Sequence, residues 1–190
     1  VLGLSEISVE ISKGIQGLLG PNGAGKSTFL KILTGQLKPN IGEIRIFDEP
    51  VFNNQELFHR IGYCPEFDAY YREVTGWEFI RFKSALFGYS KKETDQRALT
   101  ALENVGLTDS KDRKITAYSL GMRQRLKFAS SIINDSDLLI LDEPLRGVDP
   151  LWRIRIIKML KEFEEEGRTI IVSSHILSEI ESMTNNVILI

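Results

Sequence analysis

The chain has 190 residues, 42% hydrophobic and 26% charged, with a formal net charge of −2 at pH 7. That is enough for one domain with a substantial buried core, and the composition excludes a disordered or fibrous protein. A nucleic-acid partner is not expected, because there is neither a basic excess nor a basic stripe.

In chain order, Val9 to Ile11 and Ile15 to Leu19 read as strands. A helix should begin at Gly25 and run to about Leu37, ahead of Pro39. Glu43 to Phe47 alternates and predicts a strand, and Ile61 to Cys64 a short one. Cys64 is the only cysteine, so no internal disulfide can form; a reducing compartment fits. Thr75, with Glu78 three residues on, is a capping-box start for a helix reaching Phe87. Lys91 to Val105 places Ala98, Leu99, Ala101, Leu102 and Val105 on one helical face. Ser119 opens a further helix to about Ile133.

Leu138 to Leu141 is a continuous apolar run, as expected of a central parallel strand. Runs of about this length are the longest in the chain, against roughly 20 residues for a membrane-spanning helix. A helix follows from Pro150 to Glu166, ending in Glu162, Glu164, Glu165 and Glu166, which read as a solvated face. Thr169 to Ser173 predicts a strand, Ile176 to Met183 a helix, and Val187 starts a last strand. Alternating strands and helices predict an α/β fold with a mostly parallel sheet covered on both faces. The strand-poor block from about Phe67 to Leu126 reads as a helical insertion.

The strongest chemical signal is Gly20-Pro21-Asn22-Gly23-Ala24-Gly25-Lys26-Ser27, followed by Thr28. It fits the P-loop pattern in full, between a strand and a helix. Glycines let backbone N–H groups close around phosphate oxygens with no Cβ in the way. The helix N-terminus adds its positive end. Lys26 would place a point charge on the β- and γ-phosphates of ATP, and Ser27 would offer a hydroxyl to Mg²⁺. The apolar strand Leu138 to Leu141 ends in Asp142 and Glu143. Ligands of open α/β sheets bind at such strand ends. Asp142 is placed to share the Mg²⁺ with Ser27, and Glu143 to polarise an attacking water as a general base. Alone, a strand ending in two acids is as often a solvated loop start; beside the P-loop the metal reading prevails.

Four further motifs follow the order of one family. Tyr63-Cys64-Pro65-Glu66 sits where that family has its Q-loop. Tyr118-Ser119-Leu120-Gly121-Met122-Arg123-Gln124-Arg125-Leu126 resembles its signature sequence. Leu145-Arg146-Gly147-Val148-Asp149-Pro150 resembles its D-loop, and Ser173-Ser174-His175 its switch histidine. Together they resemble the nucleotide-binding subunit of ABC transporters over nearly the whole chain.

The resemblance implies a P-loop NTPase fold with an antiparallel N-terminal β portion. The core would comprise about residues 1–66 and 127–190, with the insertion at about 67–126. It implies two such domains, as a homodimer, sandwiching two ATP molecules head to tail. Ser119 and Gly121 would complete the partner's site in trans, and Asp149 would lie at the interface. Both Ser119 and Asp149 also read as ordinary helix caps. His175 would contact the γ-phosphate and the attacking water, whereas His59 reads as surface. The subunit would dock on a transmembrane permease at the cytoplasmic face of the membrane. A groove near Glu66 to Trp77, with Phe67, Tyr70 and Tyr71, would receive the permease, or those aromatics would pack in the core.

Departures are informative. Glu66 stands where the family usually has Gln; it can ligate Mg²⁺ but cannot donate a hydrogen bond while ionised. Leu120 and Met122 replace a Gly and a Gln of the commonest signature. Glu66 and the Ser-Leu-Gly-Met form are similar to the ABC-2-type exporter subgroup. Leu145-Arg146 replaces a more usual Thr-Asn pair. No aromatic precedes Phe29, where the family's adenine-stacking residue belongs, and both ends are short against the family, so that either the chain is a piece of a longer one or its adenine grip is weakened. A soluble ABC ATPase of ribosomes or DNA is the rival reading, disfavoured by the lack of a second ATP unit and of basic insertions. A binding module without turnover is disfavoured by Glu143 and His175.

Overall fold

A computed structural model describes residues 4, 5, 7–67 and 73–190. Its main sheet is built from apolar runs that tolerate burial on both faces. These are β1 (Gly14–Leu19), β4 (Ile61–Cys64), β5 (Leu138–Asp142), β6 (Thr169–Ser174) and β7 (Val187–Leu189). The strand order is β4-β5-β6-β1-β7, parallel throughout. Cys64 pairs with Leu141, Asp142 with Ser173, and Leu19 with Ser174. That register brings the carboxyl ends of β4, β5, β6 and β1 to one edge, so every motif that follows those strands opens there.

The side chains alternate across the sheet as the period of two demands. Ile15, Leu139, Leu141, Ile170 and Val172 join one apolar cluster; Leu18, Leu138, Ile140 and Ile171 join the other. The first cluster is closed by helices α3 (Gly76–Ala85), α4 (Lys91–Asn104), α5 (Leu120–Ser131), α6 (Pro150–Glu165) and α7 (Leu177–Glu181). The second is closed by α1 (Lys26–Leu33), by α2 (Gln55–Phe58), and by the hairpin of β2 (Arg45–Ile46) and β3 (Glu49–Pro50). Both faces are therefore covered.

Several elements depart from the sequence expectations. Residues 9–11 form no strand; a strand requires a neighbour to complete its ladder, and these residues have none among the described ones. The strand expected over Glu43 to Phe47 shrinks to Arg45–Ile46 because Phe47 and Asp48 both take positive φ, 53° and 62°. Two such residues make the tight turn of a hairpin, and β3 returns antiparallel. Helix α1 stops before Leu37 because Gly35 adopts φ 68°. Its N–H bonds Ile32 O at 3.1 Å, and Gln36 N bonds Lys31 O at 2.8 Å; this pair closes a helix C-terminus. Glu164 is not simply solvated, since its Oε1 accepts from Ile15 N at 2.9 Å and ties α6 to the start of β1.

Between β4 and β5 the described residues add no strand to the sheet. The Thr75–Glu78 capping box forms as read, and Ser90–Glu93 makes a second at the start of α4. The helices share the first cluster with the sheet, and α5 runs unbroken through residues 126–127. At Gly62, α5 passes so close to β4 that an added Cβ would strike Ser131 O and Leu139 Cδ2. Backbone cannot yield as a flexible side chain does. Gly62→Ala is expected to cost about 1–3 kcal/mol by overpacking, read as a lower urea midpoint at unchanged m-value.

Candidate functional site

The segment from Gly20 to Thr28 is the loop that joins β1 to α1, as far as Gly25, and then the first residues of α1. Gly25 caps α1 at φ 108°, a left-handed backbone that glycine adopts without a steric cost. No side chain caps this helix, and its first turn holds no acid. Its leading N–H groups are thus left for an anion. Lys26 is only 6% exposed. Its Nζ donates to Gly20 O at 2.6 Å and Pro21 O at 3.2 Å, and lies 3.9 Å from Glu143 Oε1. The ammonium is held over the mouth of its own loop.

Asp142, the last residue of β5, is 2% exposed. Its Oδ1 accepts from Ser173 Oγ at 2.6 Å, and Ser173 Oγ accepts in turn from Glu143 N at 2.9 Å. One hydroxyl on β6 thereby fixes the Asp142 carboxylate at the end of β5 and the backbone of Glu143 just after it. Glu143 has φ 50°, a conformation uncommon outside glycine that costs on the order of 1–3 kcal/mol. The turn aims the carboxylate back at the loop, between Lys26 and His175. His175 Nδ1 is 2.9 Å and 3.0 Å from the two Glu143 oxygens. With Nδ1 protonated it donates to the carboxylate. Gln124, buried on α5, donates to the carbonyls of Glu143 and Pro144, both at 3.1 Å. Ser174 Oγ donates to Glu179 Oε2 at 2.7 Å, and Arg153 Nη1 to Glu179 Oε1 at 2.7 Å, bracing the end of β6.

No group of three or more His, Cys, Asp or Glu able to hold a metal occurs among the described residues. Mg²⁺ needs no such cluster: it takes one or two carboxylates and completes its shell with phosphate and water oxygens. A buried Asp142 at the strand end, facing an uncapped helix N-terminus, fits such an ion. Tyr63, on β4, has its phenol pushed up to about 12 by burial and then by the nearby Asp142 carboxylate. The Cys64 thiol is pushed up to about 12 by burial, so it stays a neutral, unreactive core group.

Glu66, expected as a metal ligand, follows β4 at the same edge. Its Oε1 accepts from Arg146 Nη1 at 2.5 Å, and its backbone carbonyl from Lys127 Nζ at 2.6 Å. Ser119 caps α5, its Oγ accepting from Met122 N at 3.2 Å, and Asp149 caps α6, accepting from Trp152 N at 3.1 Å. Gly121 packs beneath the carbonyl of Gly147. No hydrogen bond of Ser119, Gly121 or Asp149 among the described residues reaches the Gly20–Thr28 loop. His59 is exposed, as read. Phe67 is 71% exposed, while Tyr70 and Tyr71 lie outside the described residues. Sequence reasoning gave no separate role to Ser173, Gln124 and Arg146. The one signal was Ser173, a polar residue following the apolar run Ile170 to Val172 of β6; Gln124 sits among the charged residues of α5 and gave none.

Residues 4–146 match the ABC transporter family. The chain is 37% identical over 187 residues to the uncharacterized ABC transporter ATP-binding protein sll0415 of Synechocystis, covering 97% of this chain and 52% of that protein. It is 38% identical over 183 residues to the lantibiotic transport ATP-binding protein SrtF of Streptococcus pyogenes, covering 96% and 77%. It thus spans about half the length of the first relative and about three quarters of the second. Its fold matches the dimeric post-hydrolysis structure of the ATP-binding cassette MJ0796 bound to ADP and Pi. The TM-score is 0.90 at 24% identity, over 99% of this chain and 86% of that one. No described helix is long and apolar enough to cross a membrane. With a complete P-loop on β1, paired acids ending β5, a histidine ending β6 and this match over most of its length, the chain belongs to the ABC transporter ATP-binding family.

Proposed function

We propose that this domain binds and hydrolyses ATP with Mg²⁺ and powers transport, of the exporting kind, through a transmembrane permease at the cytoplasmic face of the membrane. The observation that supports it best is the convergence of Lys26, Asp142, Glu143 and His175 at one sheet edge beside an uncapped helix N-terminus. SrtF is named for lantibiotic transport, and Glu66 with the Ser119 to Met122 signature fits the ABC-2-type exporters.

Backbone N–H groups of Gly23 to Ser27 cradle the phosphates, and Lys26 leaves Gly20 O and Pro21 O for phosphate oxygens. Ser27 and Asp142 would hold Mg²⁺, with Glu66 as a further ligand, and the ion would supply charge neutralisation to the bound phosphates. Glu143 takes a proton from the attacking water, and His175 orients Glu143 and the γ-phosphate. Ser119 and Gly121 act in trans on the nucleotide of a second copy, and Asp149 lies at that homodimer interface. What supports the trans role is the Ser119 cap at the start of α5, which carries the signature-like Ser119 to Met122 segment. Phosphate release from ATP by the purified protein tests the reading. Release that requires Mg²⁺ is expected; none at millimolar ATP, with folded protein, would overturn it.

A further inference from the structure

Three carboxylates open on the nucleotide edge, and two of them have partners inside the site. Asp142 takes the Ser173 hydroxyl, and Glu143 lies between His175 and Lys26. The third, Glu66, is answered from elsewhere, by Arg146 Nη1 at 2.5 Å. Arg146 stands three residues beyond Glu143, in the turn that leads to Asp149 and α6, and its N–H bonds Glu143 O at 3.2 Å. The pair therefore joins the loop after β4 to the loop after β5, side by side in the sheet.

An unanswered third carboxylate here would repel a polyphosphate that carries no metal. Charge-assisted pairing with Arg offsets that repulsion and fixes the direction of the carboxylate. The Arg146 side chain is largely exposed while that of Glu66 is mostly covered. With the Arg146 side open to water, the pair is partly screened, so it holds Glu66 without locking it.

We propose that Arg146 is a positioning residue: it neutralises Glu66 and holds it off the phosphate site until a nucleotide-bound cation competes for the carboxylate. The proposal rests on the ATP-site reading above. It accounts for both departures, Glu66 and Arg146, as one unit.

The test measures ATP affinity by calorimetry, in EDTA and in Mg²⁺, for wild type, Arg146→Ala, Glu66→Gln and the double variant. Arg146→Ala should weaken metal-free ATP binding about 3- to 10-fold, the size of one partly screened charge contact. The loss should shrink in Mg²⁺, which the freed carboxylate can ligate, and in high salt. Glu66→Gln in the same chain should restore metal-free binding, because the uncompensated charge is gone. Wild-type affinity of Arg146→Ala in EDTA would overturn the proposal. So would a loss that Glu66→Gln fails to restore, or one that tracks a lower nucleotide-free melting temperature in both Arg146 variants. If wild type and Lys26→Ala bind ATP equally, the ATP-site reading itself fails, which is a separate result.

Discussion

Glu143→Gln is expected to slow ATP hydrolysis by about 10²–10⁴-fold, the usual cost of losing a general base. The substitution keeps the shape, and one oxygen still accepts from His175 Nδ1, so the turn at φ 50° should persist. Binding should survive, because Lys26 loses only a neighbour 3.9 Å away and its charge becomes freer for phosphate. A head-to-tail sandwich broken by hydrolysis should then outlive the chromatography, and Glu143→Gln should elute as a dimer with ATP and Mg²⁺. Adding Ser119→Arg should abolish that dimer, because a bulky cation would sit at the α5 N-terminus where the partner's γ-phosphate belongs. Wild-type turnover by Glu143→Gln would remove Glu143 as the base. A monomer under saturating ATP would remove the trans role of Ser119.

Lys26→Ala should abolish nucleotide-dependent stabilisation. Ligand at 100 times its Kd adds about 2.7 kcal/mol, roughly 5–10 °C in melting temperature for a chain of this size. The alanine variant should show none of that shift, since the side-chain cation that Lys26 holds over the loop is gone. Its nucleotide-free form should melt somewhat lower, having lost the bonds to Gly20 O and Pro21 O that close the loop. Thermal denaturation with and without ATP separates the two effects. Equal stabilisation of both proteins would show that the loop does not bind phosphate.

The legible part of the site is the part that the chain writes locally. Gly20 to Ser27, Asp142-Glu143 and His175 each follow an apolar run, and a parallel sheet brings such strand ends together whatever the exact strand order. The capping box at Thr75 was legible for the same reason, since all its atoms lie within four residues. Contacts between distant segments were not. Ser173 binds both acids only because β6 pairs with β5 in one particular register. Glu66 and Arg146 were each seen as departures, but nothing in their spacing says that the loops bearing them touch. The misread strand at Glu43 to Phe47 failed through the backbone: alternation runs as far as Ile46, and the positive φ of Phe47 ends the strand there.

The place of β1 in the sheet bears on how the chain is made. β1 precedes both of its sheet neighbours, β6 and β7, by about 150 residues or more of chain; Gly14 pairs with Thr169. At about 5–20 residues per second, the N-terminal strand waits on the order of ten to thirty seconds for its partner. Until then the Gly20–Thr28 loop has no Glu143 and His175 pair to face, and the long sequence separation makes this closure slow. The assembled site, with Lys26, Glu143 and His175 together, therefore exists only in molecules whose translation has passed His175.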